Sequence, residues 1–146
     1  MDMMAGLQVS FSALSAQRTR MNVIASNLAN AQSTRTPAGG PYKRQEVIFA
    51  AQPQRPSFEA TLNDRLQTGV NEVHVLDIVS DPDGTRLEYE PDHPDANPQG
   101  YVAYPNVNVM REMVDLISAS RAYEANVTAI NSSKDMALRA LQIGRV

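Results

Sequence analysis

The sequence predicts an α+β protein, with two long terminal α-helices forming a coiled-coil-like helical domain and a small β-rich domain inserted between them. Three observations carry this reading. Apolar residues recur every three or four positions near both ends of the chain, whereas the middle holds short β-branched runs and alternating residues. Aromatic residues make up only 5% of the 146 and Trp is absent. The apolar content is therefore mostly Ala, Val, Leu, Ile and Met, which suits helices in close contact better than a bulky aromatic core.

The N-terminal helix reads from a seam of Met4, Leu7, Phe11, Leu14, Arg18, Met21, Ala25 and Leu28, in which only Arg18 is charged. Small residues such as Ala5, Ser12, Ala13 and Ala16 flank the seam, so another helix can approach on more than one side. Pro37, Gly39, Gly40 and Pro41 forbid its continuation. Asn27 and Asn30 are poor helix formers near its end. On a helical wheel they lie on or beside a polar line opposite the apolar seam, where a close-packed neighbouring helix would use them to set register.

The C-terminal helix has the seam Met113, Leu116, Ser120, Tyr123, Val127, Ile130, Lys134, Ala137 and Leu141. Pro105 excludes an earlier start, Asn106 or Asn108 can cap it, and Gly144 can end it. Each helix should run roughly 25 to 35 residues, or about 40–50 Å. Further apolar residues off the seams, among them Val9, Val23, Ile24, Met110 and Ile117, leave faces that one helix pair does not cover.

The organisation expected is therefore a helical segment over 1–36, an acidic β-rich domain over 37–105 with an irregular stretch at 52–68, and a second helical segment over 106–146. The second helix should pack on the first and on neighbouring subunits. Within the middle, EVIFA and VHVLDIVS read as strands, TRLEYE alternates, and DPDG predicts a tight turn joining Val73–Ser80 to Thr85–Glu90 as a hairpin. A short helical turn is expected near TLNDRLQ, and PDHPDANPQG is nearly all turn formers. With about 70 residues between them, the helices are expected to protrude from the β domain, loosely ordered until assembly covers their seams.

The three segments carry net charges of +2, −6 and +1. An acidic middle and weakly basic ends give no nucleic-acid footprint. No apolar run approaches the roughly 20 residues of a membrane span, so no membrane insertion is expected. The first residues lack a basic region followed by an apolar run, which argues against a cleaved secretory signal and, by itself, for a cytoplasmic protein.

Site chemistry is sparse. Without Cys there is no thiolate nucleophile and no Cys-based metal site. His74 sits in a predicted strand and His93 in a Pro-bracketed turn, while Asp77, Asp81 and Asp83 lack the spacing of a calcium loop. No phosphate loop, nucleophile elbow or Ser/His/Asp set is present. The expectation is a protein that is not an enzyme, with no catalytic, cofactor or metal residues and no cofactor.

Two long stretches then carry a resemblance. SNLANAQSTRTPAGGPYKR resembles the N-terminal signature of bacterial flagellar axial proteins, and EMVDLISASRAYEANVTAINSSKDMALRALQIG resembles their C-terminal signature. TRTPAGGPYKR together with YEPDHPDANPQGYVAYPNVN is most similar to the proximal rod proteins of the flagellar basal body. The resemblance implies a structural subunit of the rod, a helical drive shaft for motility that crosses the periplasm. It also implies export by the flagellar type III apparatus without a cleaved signal, which overrides the cytoplasmic expectation.

The implied partners are other copies of the chain, other flagellar rod proteins, and the adaptor linked to the export gate and MS ring. Shared positions implied by the motifs are Asn27, Leu28, Ala29 and Asn30, and Glu112, Met113, Leu116, Ile117, Arg121, Ala122, Tyr123, Glu124 and Asn126. Expected subunit-interface residues are Leu7, Phe11, Leu14, Met21, Asn27, Leu28, Asn30, Met113, Leu116, Tyr123, Asn126, Val127, Ile130 and Leu141. The alternatives are another flagellar axial protein or export-linked adaptor and, from a different class, a soluble coiled-coil adaptor.

Overall fold

In a computed structural model, residues 3–53, 71–82 and 84–144 are described. The elements run α1 (Met3–Ala29), β1 (Gln45–Pro53), β2 (Asn71–Ser80), β3 (Thr85–Tyr89), β4 (Tyr101–Pro105) and α2 (Val109–Ile143). The two helices of 27 and 35 residues fall within the expected lengths. The expected helical turn near TLNDRLQ and Asp83 of the DPDG turn lie outside the described residues. Among the described residues no helix is long and apolar enough to cross a membrane.

The two helices are antiparallel. Asn27 bonds Glu112, and Arg20 stands 4.0 Å from Asp115, so the chain descends α1 as it ascends α2. Four residues further along each helix stand Ala16 and Ala119, both buried. Side chains this small let two backbones come close, so the centre of the pair is a small-residue contact rather than a layer of large ones. At this register the last ~11 residues of α2, about 16 Å of helix, extend past the start of α1.

Asn108 caps α2, its side chain accepting from the Arg111 N–H at 3.1 Å. Glu112 follows in the first turn, where a carboxylate also meets the positive end of the helix dipole. Gly144 closes the helix in ordinary right-handed geometry, with φ −76°.

The strands pair differently from the sequence expectation. The middle contains two separate two-stranded antiparallel sheets, β1 with β2 and β3 with β4. Gln45 is opposite Ser80 in the first and Thr85 opposite Pro105 in the second. The predicted Val73–Ser80/Thr85–Glu90 hairpin is therefore corrected. The Asp81 N–H bonds the Arg44 carbonyl at 2.8 Å and the Gly84 carbonyl accepts from Asn106 N–H at 3.0 Å. The DPDG turn thus hands the chain from one sheet to the other. Turn residues specify a change of direction, but the partner strand is chosen by what each edge can pair with.

Nor do the helices stand clear of the β region. The β1–β2 sheet lies along α1, and the Ser12 hydroxyl of α1 accepts the Val73 N–H of β2 at 3.1 Å. The hairpin β3–β4 is closed by the turn-rich loop, where Asn97 Oδ1 accepts from the N–H groups of Gln99 and Tyr101. Thr34, in the connection after α1, donates to Asp95 of that loop at 2.7 Å.

Candidate functional site

The densest polar cluster lies at the neck, where α1 ends, β1 begins and α2 starts. Its centre is Asn27, 1% exposed. The Asn27 Oδ1 accepts from the Gln45 N–H at 2.9 Å and from the Tyr42 hydroxyl at 3.0 Å. Its Nδ2 donates to the Gln45 carbonyl at 2.8 Å and to Glu112 Oε2 at 3.1 Å. The side-chain amide thereby exchanges two hydrogen bonds with a single backbone residue, as one residue does with its partner in an antiparallel ladder.

Glu112 is likewise 1% exposed and takes the Arg44 Nε–H on Oε1 at 2.7 Å. A buried carboxylate must be paired and hydrogen-bonded to be tolerated, and this one has a cation and an amide. Burial alone would lower the Arg44 pKa. The hydrogen bond and charge of Glu112, with Glu46 adding to them, outweigh that effect and hold the guanidinium above its ordinary value. Arg44 also reaches Glu46 at 3.3 Å. Around the cluster, the Ser26 and Tyr42 hydroxyls lie 3.3 Å apart. Asn30 donates to the Ser26 carbonyl and accepts from Ser33, finishing α1 locally.

The neck gives both asparagines partners inside their own chain: Asn27 meets the close-packed neighbouring helix α2 through Glu112, whereas Asn30 bonds only Ser26 and Ser33 near the end of α1. The sequence reading missed Tyr42, Arg44 and Gln45 as members of this cluster. The signal available was Glu112, since a carboxylate on a helix face destined for burial requires a cation, and Arg44 stands at the end of the N-terminal signature.

The seams occupy a different place from the neck. Among the described residues, the buried positions of α1 are Ala16, Val23, Ile24, Asn27 and, just after its end, Ala31. The seam of Leu7, Phe11, Leu14, Met21 and Leu28 is centred roughly a third of a turn away at 100° per residue. Leu7, Leu14, Met21 and Leu28 are half-buried and Phe11 is 59% exposed. On α2 the half-buried residues include Leu116, Tyr123, Asn126, Val127 and Ile130, whereas Met113 is 46% and Leu141 67% exposed. Asn126 bonds back to the Ala122 carbonyl at 3.0 Å. Arg18 and Lys134 are exposed, and Asp115 is met by Arg20 of its own chain.

Beyond these, α2 exposes Met110, Val114 and Ile117 near its start and Met136, Leu138 and Ile143 near its end. Among the described residues no three His, Asp or Glu side chains are grouped to hold a metal ion. The Tyr104 hydroxyl donates to Glu90 at 2.9 Å, and that bond, with slight desolvation and the charges of Glu90 and Glu88 against Arg86, raises its pKa above the ordinary 10.0.

Comparison with known proteins places both ends of the chain in one group. Residues 7–35 match the family described as flagella basal body rod protein, and residues 99–143 match the C-terminal family of flagellar basal body rod FlgEFG proteins. The chain is 46% identical over 149 residues to a flagellar basal-body rod protein FlgC of Borreliella burgdorferi, spanning 98% of each. It is 46% identical to that of Bacillus subtilis, spanning 95% of this chain and 96% of the relative. The corresponding Escherichia coli protein is 41% identical over 137 residues, 94% of each.

Proposed function

The chain belongs to the FlgC family of flagellar basal-body rod proteins, and from that premise we propose that it assembles through the apolar helix surfaces its own fold leaves accessible. It is a structural subunit of the rod and not an enzyme, and it assembles with other rod components. In our reading, 1–36 and 106–146 are the assembling parts and 37–105 faces outward. The helix residues named from the sequence meet neighbouring subunits, with Asn27 and Asn30 acting indirectly by holding the neck.

One observation carries the proposal. The seam from Leu7 to Leu28 lies off the fully buried line of α1, and Phe11 on it is exposed, so apolar surface remains for other subunits. Each fully buried Leu, Met or Phe contributes roughly 1.5–3 kcal/mol, and that gain is realised only where a neighbour covers the side chain. Further copies of the chain, the other rod proteins and the adaptor at the export gate and MS ring are the partners this reading expects. Export through the flagellar type III apparatus is the route it expects.

The test replaces the chain, in a motile bacterium lacking it, by Phe11→Asp or Leu141→Asp. Purified variants should keep the wild-type helical circular dichroism. Recovery of the chain in extracted basal bodies should fall about tenfold or more, equivalent to roughly 1.4 kcal/mol of lost interface energy. Wild-type swimming and recovery in both variants would remove the proposal.

A further inference from the structure

The turn-rich loop that closes the β3–β4 hairpin is tied to the connection after α1 through Asp95, which is held at both of its ends. Its backbone N–H donates to His93 Nδ1 at 3.1 Å, and its carboxylate accepts the Thr34 hydroxyl at 2.7 Å. Because Nδ1 accepts, the neutral His93 ring carries its proton on Nε2. That half-buried ring meets the Tyr104 ring of β4 edge-on, with centroids 6.2 Å apart. Two backbone bonds fix the turn around it: His93 N–H to the Glu90 carbonyl at 3.2 Å, and Ala96 N–H to the His93 carbonyl at 3.0 Å. Charge about the ring is mostly negative. Glu90 and Asp92 line one cleft with His93, and Glu90 also takes the Tyr104 hydroxyl at 2.9 Å. Arg86 of β3 stands 5.9 Å from the centre of the Tyr104 ring and pairs with Glu88 at 3.3 Å, so this cation has a carboxylate of its own.

We propose that His93 makes this tie acid-sensitive, a proton on its ring releasing Asp95 and, with it, Thr34. Protonation at Nδ1 removes the lone pair that the Asp95 N–H uses and sets two N–H donors against each other. The imidazolium then turns to the carboxylates of Glu90, Asp92 or Asp95, each of which favours the charged ring. Asp95 has to move, and its carboxylate leaves the Thr34 hydroxyl. Imidazole is the side chain whose ordinary titration falls between about pH 5 and 8. Since the neutral ring is the acceptor, the tie is complete at the upper end of that range and is lost as pH falls. The link released is the one between the outer loop and the chain that follows α1. The neck is built from Asn27, Tyr42, Arg44, Gln45 and Glu112, without an imidazole, and keeps its bonds. The inference is independent of the rod assignment, and either can fail alone.

The test compares the full chain with its Thr34→Val variant by urea unfolding at pH 8 and at pH 5. At pH 8 the substitution should lower the folding equilibrium constant about threefold or more, as expected for one lost hydrogen bond, and at pH 5 it should have no effect. The comparison is repeated in a His93→Asn background, where the Asn oxygen accepts the Asp95 N–H in place of Nδ1 and does not titrate. There the effect of Thr34→Val should be the same at both pH values. His74, the other imidazole, lies on β2 beside Glu72 and enters both members of each comparison equally. A second reading needs no change at Thr34: in the 15N-labelled wild type the Thr34 amide signal should move between pH 8 and pH 5, and in His93→Asn it should stay. An effect of Thr34→Val that is equal at the two pH values in the wild-type background, a pH dependence that survives His93→Asn, or a stationary Thr34 signal overturns the proposal.

Discussion

Asn27 Nδ2 donates to Glu112 Oε2 at 3.1 Å, joining two residues 85 positions apart in sequence that are both buried. The hydrogen bond unites the two terminal signatures of the chain at one point, and the same amide reaches into β1 through Gln45. The neck is therefore complete only when α1, β1 and the first turn of α2 are all in place.

Asn27→Leu should accordingly destabilise the isolated subunit, not only its assembly. It leaves the Gln45 N–H and C=O unpaired and takes a donor from Glu112. Two such buried groups lower stability by about 2–6 kcal/mol, or roughly 5–15 °C in melting temperature at this chain length. Asn30→Leu removes only local capping contacts and should cost less than about 1.5 kcal/mol. Thermal unfolding of the two purified variants checks this, and equal losses would contradict it.

Arg44 and Glu112 should be energetically coupled. Removing one partner of a buried pair leaves an uncompensated charge, at about 3–5 kcal/mol. Arg44→Met should fall at the low end, since the Arg44 side chain retains 23% exposure. Arg44→Met combined with Glu112→Leu should cost clearly less than the sum of the single changes. Urea unfolding of the four proteins measures the coupling, and strict additivity would show the pair to be idle.

Gly100 should resist substitution more than Gly40. Both have positive φ, +82° and +76°, so an alanine costs roughly 1–2 kcal/mol at either position from the left-handed backbone alone. At Gly100 an added Cβ would also sit 2.8 Å from the Tyr89 ring, which meets the Tyr101 ring edge-on with centroids 5.3 Å apart, whereas Gly40 has nothing within 4 Å. Gly100→Ala should therefore lower the melting temperature further and change the near-ultraviolet circular dichroism of the tyrosines. Gly40→Ala should leave that signal intact.

Tyr104 should ionise late. Its folded pKa lies above that of the free side chain, so the contact with Glu90 contributes fully below the ordinary tyrosine value and is lost as pH rises through the folded one. In a variant with the other four tyrosines changed to Phe, the tyrosinate absorbance should appear at higher pH than in the unfolded chain. Glu90→Gln should bring it down, and no movement would contradict the assignment.

The helices were legible because their signals are local. The three- and four-residue spacing, Asn108 before α2 and Gly144 after it are read within a few positions of one another. The buried line of α1 was less legible, because Ala16 and Ala31 are buried by how closely another element approaches and not by their own size. Pairing of strands was least legible: the DPDG turn was visible, yet its consequence depended on Arg44 and Asn106, far apart in the chain. The same holds for Asn27. As a helix residue it is a poor choice, and its use emerges only when Gln45 and Glu112 arrive from elsewhere.

The hydrogen bonds from α1 to the first sheet have a consequence for solubility. A two-stranded sheet has two outer edges whose open N–H and C=O groups can recruit a strand from another molecule. On β1 the Gln45 groups are occupied by the Asn27 amide, and on β2 the Val73 N–H is occupied by the Ser12 hydroxyl. Helix α1 thus plugs a position on each strand with a side chain that cannot propagate a ladder. A subunit that assembles with other rod components is in this way hindered from polymerising through strands, and the ordered assembly is kept apart from an amyloid-like one.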